Sequence, residues 1–120
     1  MKLGDIVEKL ELEQQWNVPD LDVDVTRGYA SDMLSDVLAG AREGDIWVTL
    51  QIHPNTVAVA SIKGVAAIVL VNGRKPEEET LTRAEQENVP LYVSALSAFE
   101  LVGRLYAMGI SGTGNDAVDA

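Results

Sequence analysis

Cysteine is absent from the chain, which excludes a disulfide framework, a thiol nucleophile, a cysteine zinc site and a cysteine-ligated iron–sulfur cluster. Histidine occurs once, as His53, without the H-x-x-x-H or H-E-x-x-H spacing of a histidine-built metal site. Positive charge is scarce. Lys and Arg number 9 against 19 Asp and Glu, a net charge of -10, so nonspecific nucleic-acid binding, which depends on Lys and Arg neutralising phosphates, has no basis here. No apolar run in the sequence approaches the ~20 residues of a membrane span, and Asp5 falls where a signal peptide needs an uninterrupted apolar core. A cytoplasmic protein is therefore expected. The phosphate loop G-x-x-x-x-G-K-[ST], the dinucleotide fingerprint G-x-G-x-x-G and the nucleophile elbow G-x-S-x-G are missing too. We expect no catalytic residue, no metal and no cofactor.

What the chain does have is apolar content, 47% over 120 residues, enough for one domain with its own core. Leu3, Ile6, Val7 and Leu10 are spaced as one face of a short helix, and Leu12 to Trp16 reads as a brief strand. Leu21, Val23 and Val25 alternate with Asp22, Asp24 and Thr26, which predicts an edge strand with one wet face. Asp20, Asp22 and Asp24 lack a calcium-loop pattern and read as solvated surface. Ser31 as N-cap, Asp32 in the first turn, the face Leu34, Val37, Leu38 and Ala41, and Gly44 past the end together predict a helix. Asp45 to Ile52 alternates as a central strand with one partly polar face.

The stretch from Asn55 to Val93 organises the rest. Asn55 is placed to cap a helix from Thr56 to Lys63, closed by Gly64, and so apolar that it should be covered on most sides. Ala66 to Val71 is apolar on both faces, as a central parallel strand is. Asn72-Gly73-Arg74 forms a tight turn, and Pro76 with Glu77, Glu78 and Glu79 opens an acidic helix that Asn88 ends. Leu91 to Val93 is the last strand. Ser97 and Glu100 have capping-box spacing for a final helix with Leu101, Val102, Leu105 and Met108 on its face. Helices alternating with strands predict an α/β three-layer sandwich, with a mostly parallel central sheet of four to five strands flanked by helices. One domain is expected over residues 1–110, with 111–120 a disordered tail.

Parallel strands align their carboxyl ends, where open α/β sheets hold ligands. The candidate ligand-binding residues are therefore His53, Asn55, Asn72, Gly73, Arg74, Ser94 and Ser97. A small anion there would meet helix-terminal amides near Asn55 or Ser97 and the guanidinium of Arg74. Asn-Gly is equally a plain strand-to-helix turn, His53 a loop histidine with a local hydrogen bond, and Ser94 and Ser97 helix caps.

Several spaced blocks carry a family resemblance: Asn55-Thr-Val-Ala-Val-Ala-Ser-Ile62, Ala67-Ile-Val-Leu-Val-Asn-Gly-Arg-Lys-Pro76, Ala84, Pro90-Leu91 and Ser94-Ala-Leu-Ser-Ala-Phe-Glu-Leu101, with Gly28 to Val37 upstream. Over Gly28 to Tyr106 the chain resembles the DRTGG domain. That family's domain is a small α/β module, usually dimeric, found in cystathionine-beta-synthase-containing pyrophosphatases and phosphotransacetylases, with a similar fold at the N-terminus of HPr kinases. Stand-alone versions occur, some alongside iron-hydrogenase proteins. The resemblance implies a noncatalytic regulatory or scaffolding module, homodimeric and open to a protein partner, with its interface on the helix after Asn55 or the one between Gly28 and Gly44. The alternative is a sensor of an adenine nucleotide or similar anion at the turn around Gly73. The chain has His53-Pro54 and Asn72-Gly73-Arg74 where the name-giving residues of the family fall, and matches them at Gly73.

Overall fold

A computed structural model describes residues 1–114. Ten elements follow one another: α1 (Leu3–Lys9), β1 (Glu13–Gln14), β2 (Arg27–Ala30), α2 (Leu34–Gly40), β3 (Asp45–Thr49), α3 (Pro54–Lys63), β4 (Ala67–Leu70), α4 (Glu78–Gln86), β5 (Leu91–Val93) and α5 (Ala98–Ala107). The strands form one sheet in the order β1-β5-β4-β3-β2. β2 to β5 are parallel, each beside the next in sequence, and β1 closes the far edge antiparallel to β5.

That order decides the layers. Each βαβ crossover steps in the same direction, and crossovers share one hand, so α2, α3 and α4 lie together on one face. Trp47, Ile68, Leu70, Leu91 and Val93 point at them and pack with Val37, Val57, Ala60 and Ala84. The alternate strand residues Ile46, Val48, Ala67, Val69 and Tyr92 point the other way, where α1 and α5 supply Leu3, Ile6, Leu101 and Leu105. The result is the expected three-layer α/β sandwich. β3, β4 and β5 are buried along their whole lengths, so the polar face expected for the Trp47 side of β3 is in fact core. α3 is apolar because α2 and α4 flank it and the sheet lies beneath it; Val57, Val59 and Ala60 are buried while Ile62 faces outward.

Four local expectations are corrected. Residues 21–26 form no sheet strand. Their backbone instead bonds the start of the chain, with Leu3 N–H on Val23 O at 2.8 Å and Val25 N–H on Met1 O at 2.8 Å. The edge strand begins at Arg27, where a buried ion pair to Asp45 fixes it. Ser31 does not cap α2; its Oγ accepts from Met33 N–H at 3.2 Å, and the helix starts at Leu34 after Met33. Asn55 lies inside α3, exposed, because Pro54 occupies the first helical position after His53. α4 starts at Glu78 after Glu77 rather than at Pro76. Capping was read correctly at α5, where Ser97 Oγ accepts from Glu100 N–H at 3.3 Å.

Within the expected tail, Ser111–Gly114 runs beside β2, with Gly28 N–H donating to Ser111 O at 2.9 Å and Gly114 N–H to Ser111 Oγ at 3.0 Å. Residues 115–120 lie outside the described residues.

Tyr92 is fully buried, and its hydroxyl has no hydrogen-bond partner among the described residues. Leaving such a group unsatisfied costs about 1–3 kcal/mol. Tyr92→Phe is therefore expected to raise stability by about 1 kcal/mol in urea unfolding at pH 7. Burial pushes the phenol above its ordinary value of 10.0. Because the folded state holds this proton more tightly, stability is intact below that value and falls as pH rises past it. The phenylalanine variant should lose less stability under those alkaline conditions.

Candidate functional site

At the carboxyl end of the parallel strands, three connections meet. Val71 leaves β4 into a turn with Asn72 at φ 59 and Gly73 at φ 66, the paired left-handed conformation for which Asn-Gly is the preferred sequence. This turn is bound to the loop after β5: Asn72 N–H donates to Leu96 O and Gly73 N–H to Ser94 O, both at 2.8 Å. Ser94 is itself buried, and its Oγ accepts from Leu96 N–H at 3.1 Å. Four of the candidate residues, Asn72, Gly73, Ser94 and Ser97, therefore belong to one knot at the start of α5. Their amides are largely used within it. Arg74 N–H donates to Val71 O at 3.1 Å.

The other end of the same connection is tied to the loop after β3. Glu77 N–H donates to Ile52 O at 3.2 Å, and Thr80 Oγ1 to the same oxygen at 2.6 Å. His53 Nδ1 lies 2.6 Å from Glu77 Oε2. The histidine side chain is 62% exposed, so it is a surface group held by a carboxylate, and no serine accompanies it in a catalytic arrangement. Asn55 stands exposed at the second position of α3. The candidate residues thus fall into two groups, at Asn72 and at His53, joined by residues 72–77.

Charge at this end is mixed. Lys75 Nζ reaches Glu13 Oε1 on β1 at 2.6 Å, and that hydrogen bond, reinforced by the lysine charge, holds the Glu13 carboxyl below its usual range. Arg74 is exposed and makes no side-chain hydrogen bond or ion pair with another described residue. It is therefore the cation at this end left available to an anion.

A residue that sequence reasoning placed elsewhere completes the picture. Asp32 turns back to the end of β3, where Oδ1 accepts from Thr49 Oγ1 at 2.9 Å and from Leu50 N–H at 2.7 Å. Gln51 Nε2 donates to Asp32 O at 2.7 Å. A cleft of about 170 Å³ lies here, lined by Asp32, Thr49, Val71 and Ala98 among others. The Ser31-Asp32 pair before a helical pattern looks like a cap in sequence; only the neighbouring strand shows that the carboxylate serves β3.

A cavity of about 590 Å³ opens at the opposite end of the strands, lined by Asp20, Asp24, Glu43, Val65 and Asn88 among others. Its carboxylates disfavour an anion. Part of that negative charge is already met: Lys2 Nζ lies 3.1 Å from Asp24 Oδ1 and 3.8 Å from Asp22 Oδ1. The described residues contain no group of His, Asp and Glu arranged to hold a metal ion, and none of their helices is long and apolar enough to cross a membrane.

No protein-family model matches the chain, and no curated protein matches it. Among solved structures, it is similar to the CBS and DRTGG domains of the regulatory region of Clostridium perfringens pyrophosphatase, which was crystallised with its activator, diadenosine tetraphosphate. The TM-score is 0.72 at 19% identity, and the likeness covers 98% of this chain and 49% of that one. The chain thus spans about half the length of the structure it matches. The fold is DRTGG-like, as the spaced sequence blocks implied.

Proposed function

We propose that this DRTGG-like chain is a noncatalytic regulatory module, acting in the cytoplasm as a homodimer that can dock a further protein. The observation that supports the reading most is the likeness over 98% of the chain to a regulatory region, rather than to a catalytic domain. The carboxyl-end geometry agrees with it, since the amides of Asn72 and Gly73 are spent on carbonyls and His53 is spent on Glu77. Light scattering is expected to give twice the mass of one chain at micromolar concentration. A single-chain mass at 100 micromolar would remove the dimer from the proposal.

A second reading is favoured by the nucleotide named with the neighbouring structure and by the availability of Arg74. Here an adenine nucleotide sits against Arg74, with Asn72, Gly73, Ser94 and Ser97 behind it and His53 and Asn55 at the far end of the same connection. At 100 times its dissociation constant such a ligand adds about 2.7 kcal/mol of stability. The expected result is a rise in melting temperature with diadenosine tetraphosphate or ATP that Arg74→Ala abolishes. A shift that survives Arg74→Ala would move the ligand elsewhere, and no shift with either compound would end this reading.

A further inference from the structure

The turn that joins β4 to α4 carries the chain's one Asn-Gly step; Asn17, Asn55 and Asn88 precede Val18, Thr56 and Val89, each branched at Cβ. The residue that follows decides how readily an asparagine reacts with its own backbone. The next nitrogen attacks the side-chain amide to close a succinimide ring, and a branched side chain crowds that approach. Glycine has no Cβ to crowd it. Asn88 provides the comparison within the fold, since it shares the left-handed backbone of Asn72, φ 57 against 59, but has Val89 after it. Asn72 and Gly73 are both exposed, and the Asn72 side chain makes no hydrogen bond with a described residue. A Cβ built on Gly73 meets nothing within 4 Å, so the ring has room to form and water can reach it.

What holds the reaction back is the hydrogen bonding of the turn. Attack requires the Gly73 nitrogen to give up its proton, and that N–H is donated to Ser94 O at 2.8 Å, beside the Asn72 N–H on Leu96 O at 2.8 Å. Both carbonyls belong to the loop after β5, which Ser94 Oγ braces by accepting from Leu96 N–H at 3.1 Å. The nitrogen is therefore free to react only while the two loops are parted, a local opening of the kind that precedes amide exchange.

We propose that Asn72 is a site of spontaneous covalent modification, gated by the parting of the loops after β4 and β5. Once the Gly73 nitrogen has lost its proton to base, its electron pair bonds to Asn72 Cγ, the Cγ–Nδ2 bond breaks, and the side-chain nitrogen takes up a proton and leaves as ammonia. Water then opens the succinimide. Cleavage at Cγ leaves aspartate, and cleavage at the backbone carbonyl leaves isoaspartate, with the chain rerouted through Cγ and one carbon longer. Either product places a carboxylate two residues before Arg74, where it competes for the guanidinium. Isoaspartate also breaks the spacing that matches two adjacent amides to Leu96 O and Ser94 O. The effect on an anion at Arg74 rests on the nucleotide reading above, whereas the chemistry at Asn72 stands apart from it.

Trypsin releases Gly64 to Arg74 as one peptide that holds Asn72 and no other asparagine, so mass spectrometry of protein aged in mildly alkaline buffer reads the reaction directly. The expected result is an aspartate and an isoaspartate form of this peptide, with Asn17, Asn55 and Asn88 unchanged. In urea the conversion should run more than about tenfold faster, and the ratio of the two rates should equal the protection of the Gly73 amide in hydrogen exchange, because both report the same opening. Ser94→Ala, which removes the brace on Leu96 N–H, should speed conversion and Gly73 exchange by one common factor. A peptide still unmodified in the folded protein after the urea-unfolded chain has converted, or earlier conversion at Asn17, Asn55 or Asn88, would overturn the site. Equal rates in buffer and in urea, or conversion that does not follow Gly73 exchange, would overturn the gating. Aged protein that keeps the melting shift of fresh protein with ATP would overturn the effect on Arg74, while fresh protein without that shift would end the nucleotide reading alone.

Discussion

Replacing Arg27 by methionine is expected to destabilise the protein by about 3–5 kcal/mol, the usual cost of stranding one partner of a buried ion pair. The Asp45 side chain is fully buried and that of Arg27 only 10% exposed. The guanidinium grips the carboxylate with both ends, Nε on Oδ1 at 2.8 Å and an Nη on Oδ2 at 2.6 Å. That same Nη donates to Gly40 O at 2.8 Å, tying the last residue of α2 to the sheet. Methionine fills a similar volume but supplies no donor, so among the described residues the carboxylate keeps the Arg42 N–H, at 2.8 Å. Urea unfolding followed by circular dichroism measures the loss. Adding Asp45→Asn to the methionine variant should recover part of it, because an amide tolerates burial better than an unpaired charge. A cost under about 1 kcal/mol for Arg27→Met would instead place the pair among solvent-screened ones.

Trp47→Ala is the second large effect, about 3–5 kcal/mol. Trp47 is the largest fully buried side chain and packs among Val37, Val57 and Ile68 between the sheet and α2 and α3. Its Nε1–H donates to Ser31 O at 2.9 Å. Truncation therefore leaves a cavity and an unpaired carbonyl together. Trp47→Phe keeps most of the packing and loses the donor, and should cost about 1–2 kcal/mol. Comparing the two separates the packing loss from the hydrogen bond, provided unfolding is followed by circular dichroism, since the tryptophan signal itself is altered.

These two residues also show how far the sequence could be read. The strands from Asp45 to Val93 were legible because burial on both faces leaves a run of apolar residues bounded by turn formers, as at Ala67 to Leu70 before Asn72-Gly73. Trp47 was misjudged because it shares a strand face with Thr49 and Gln51, and alternation alone cannot show that three helices cover that face. The edge strand was placed several residues early. Leu21 to Thr26 has the better alternation, but Arg27 has Asp45 as a partner, and a contact made by folding has no local signature. Asp32 was hidden likewise, because a carboxylate that could cap a helix was taken to do so. Of the candidate ligand residues, the sequence anticipated the turn at Asn72-Gly73 and its nearness to Ser94. It could not show that the amides there donate to Leu96 and Ser94, since backbone pairing across two loops depends on the register of β4 beside β5.

The strand order carries a consequence for how the chain assembles. Arg27 beside Asp45, Ile46 beside Ala67 and Ile68 beside Leu91 each close a stretch of about 20 residues, so the parallel part of the sheet can zip up through successive short closures. Glu13 beside Val93 must instead close about 80 residues for a strand only two residues long. The β1 edge is accordingly the last to attach and the first to open. Native-state hydrogen exchange should find the amides of residues 13–15 opening well below the global unfolding free energy, while those of β3 and β4 exchange only when the whole sheet comes apart.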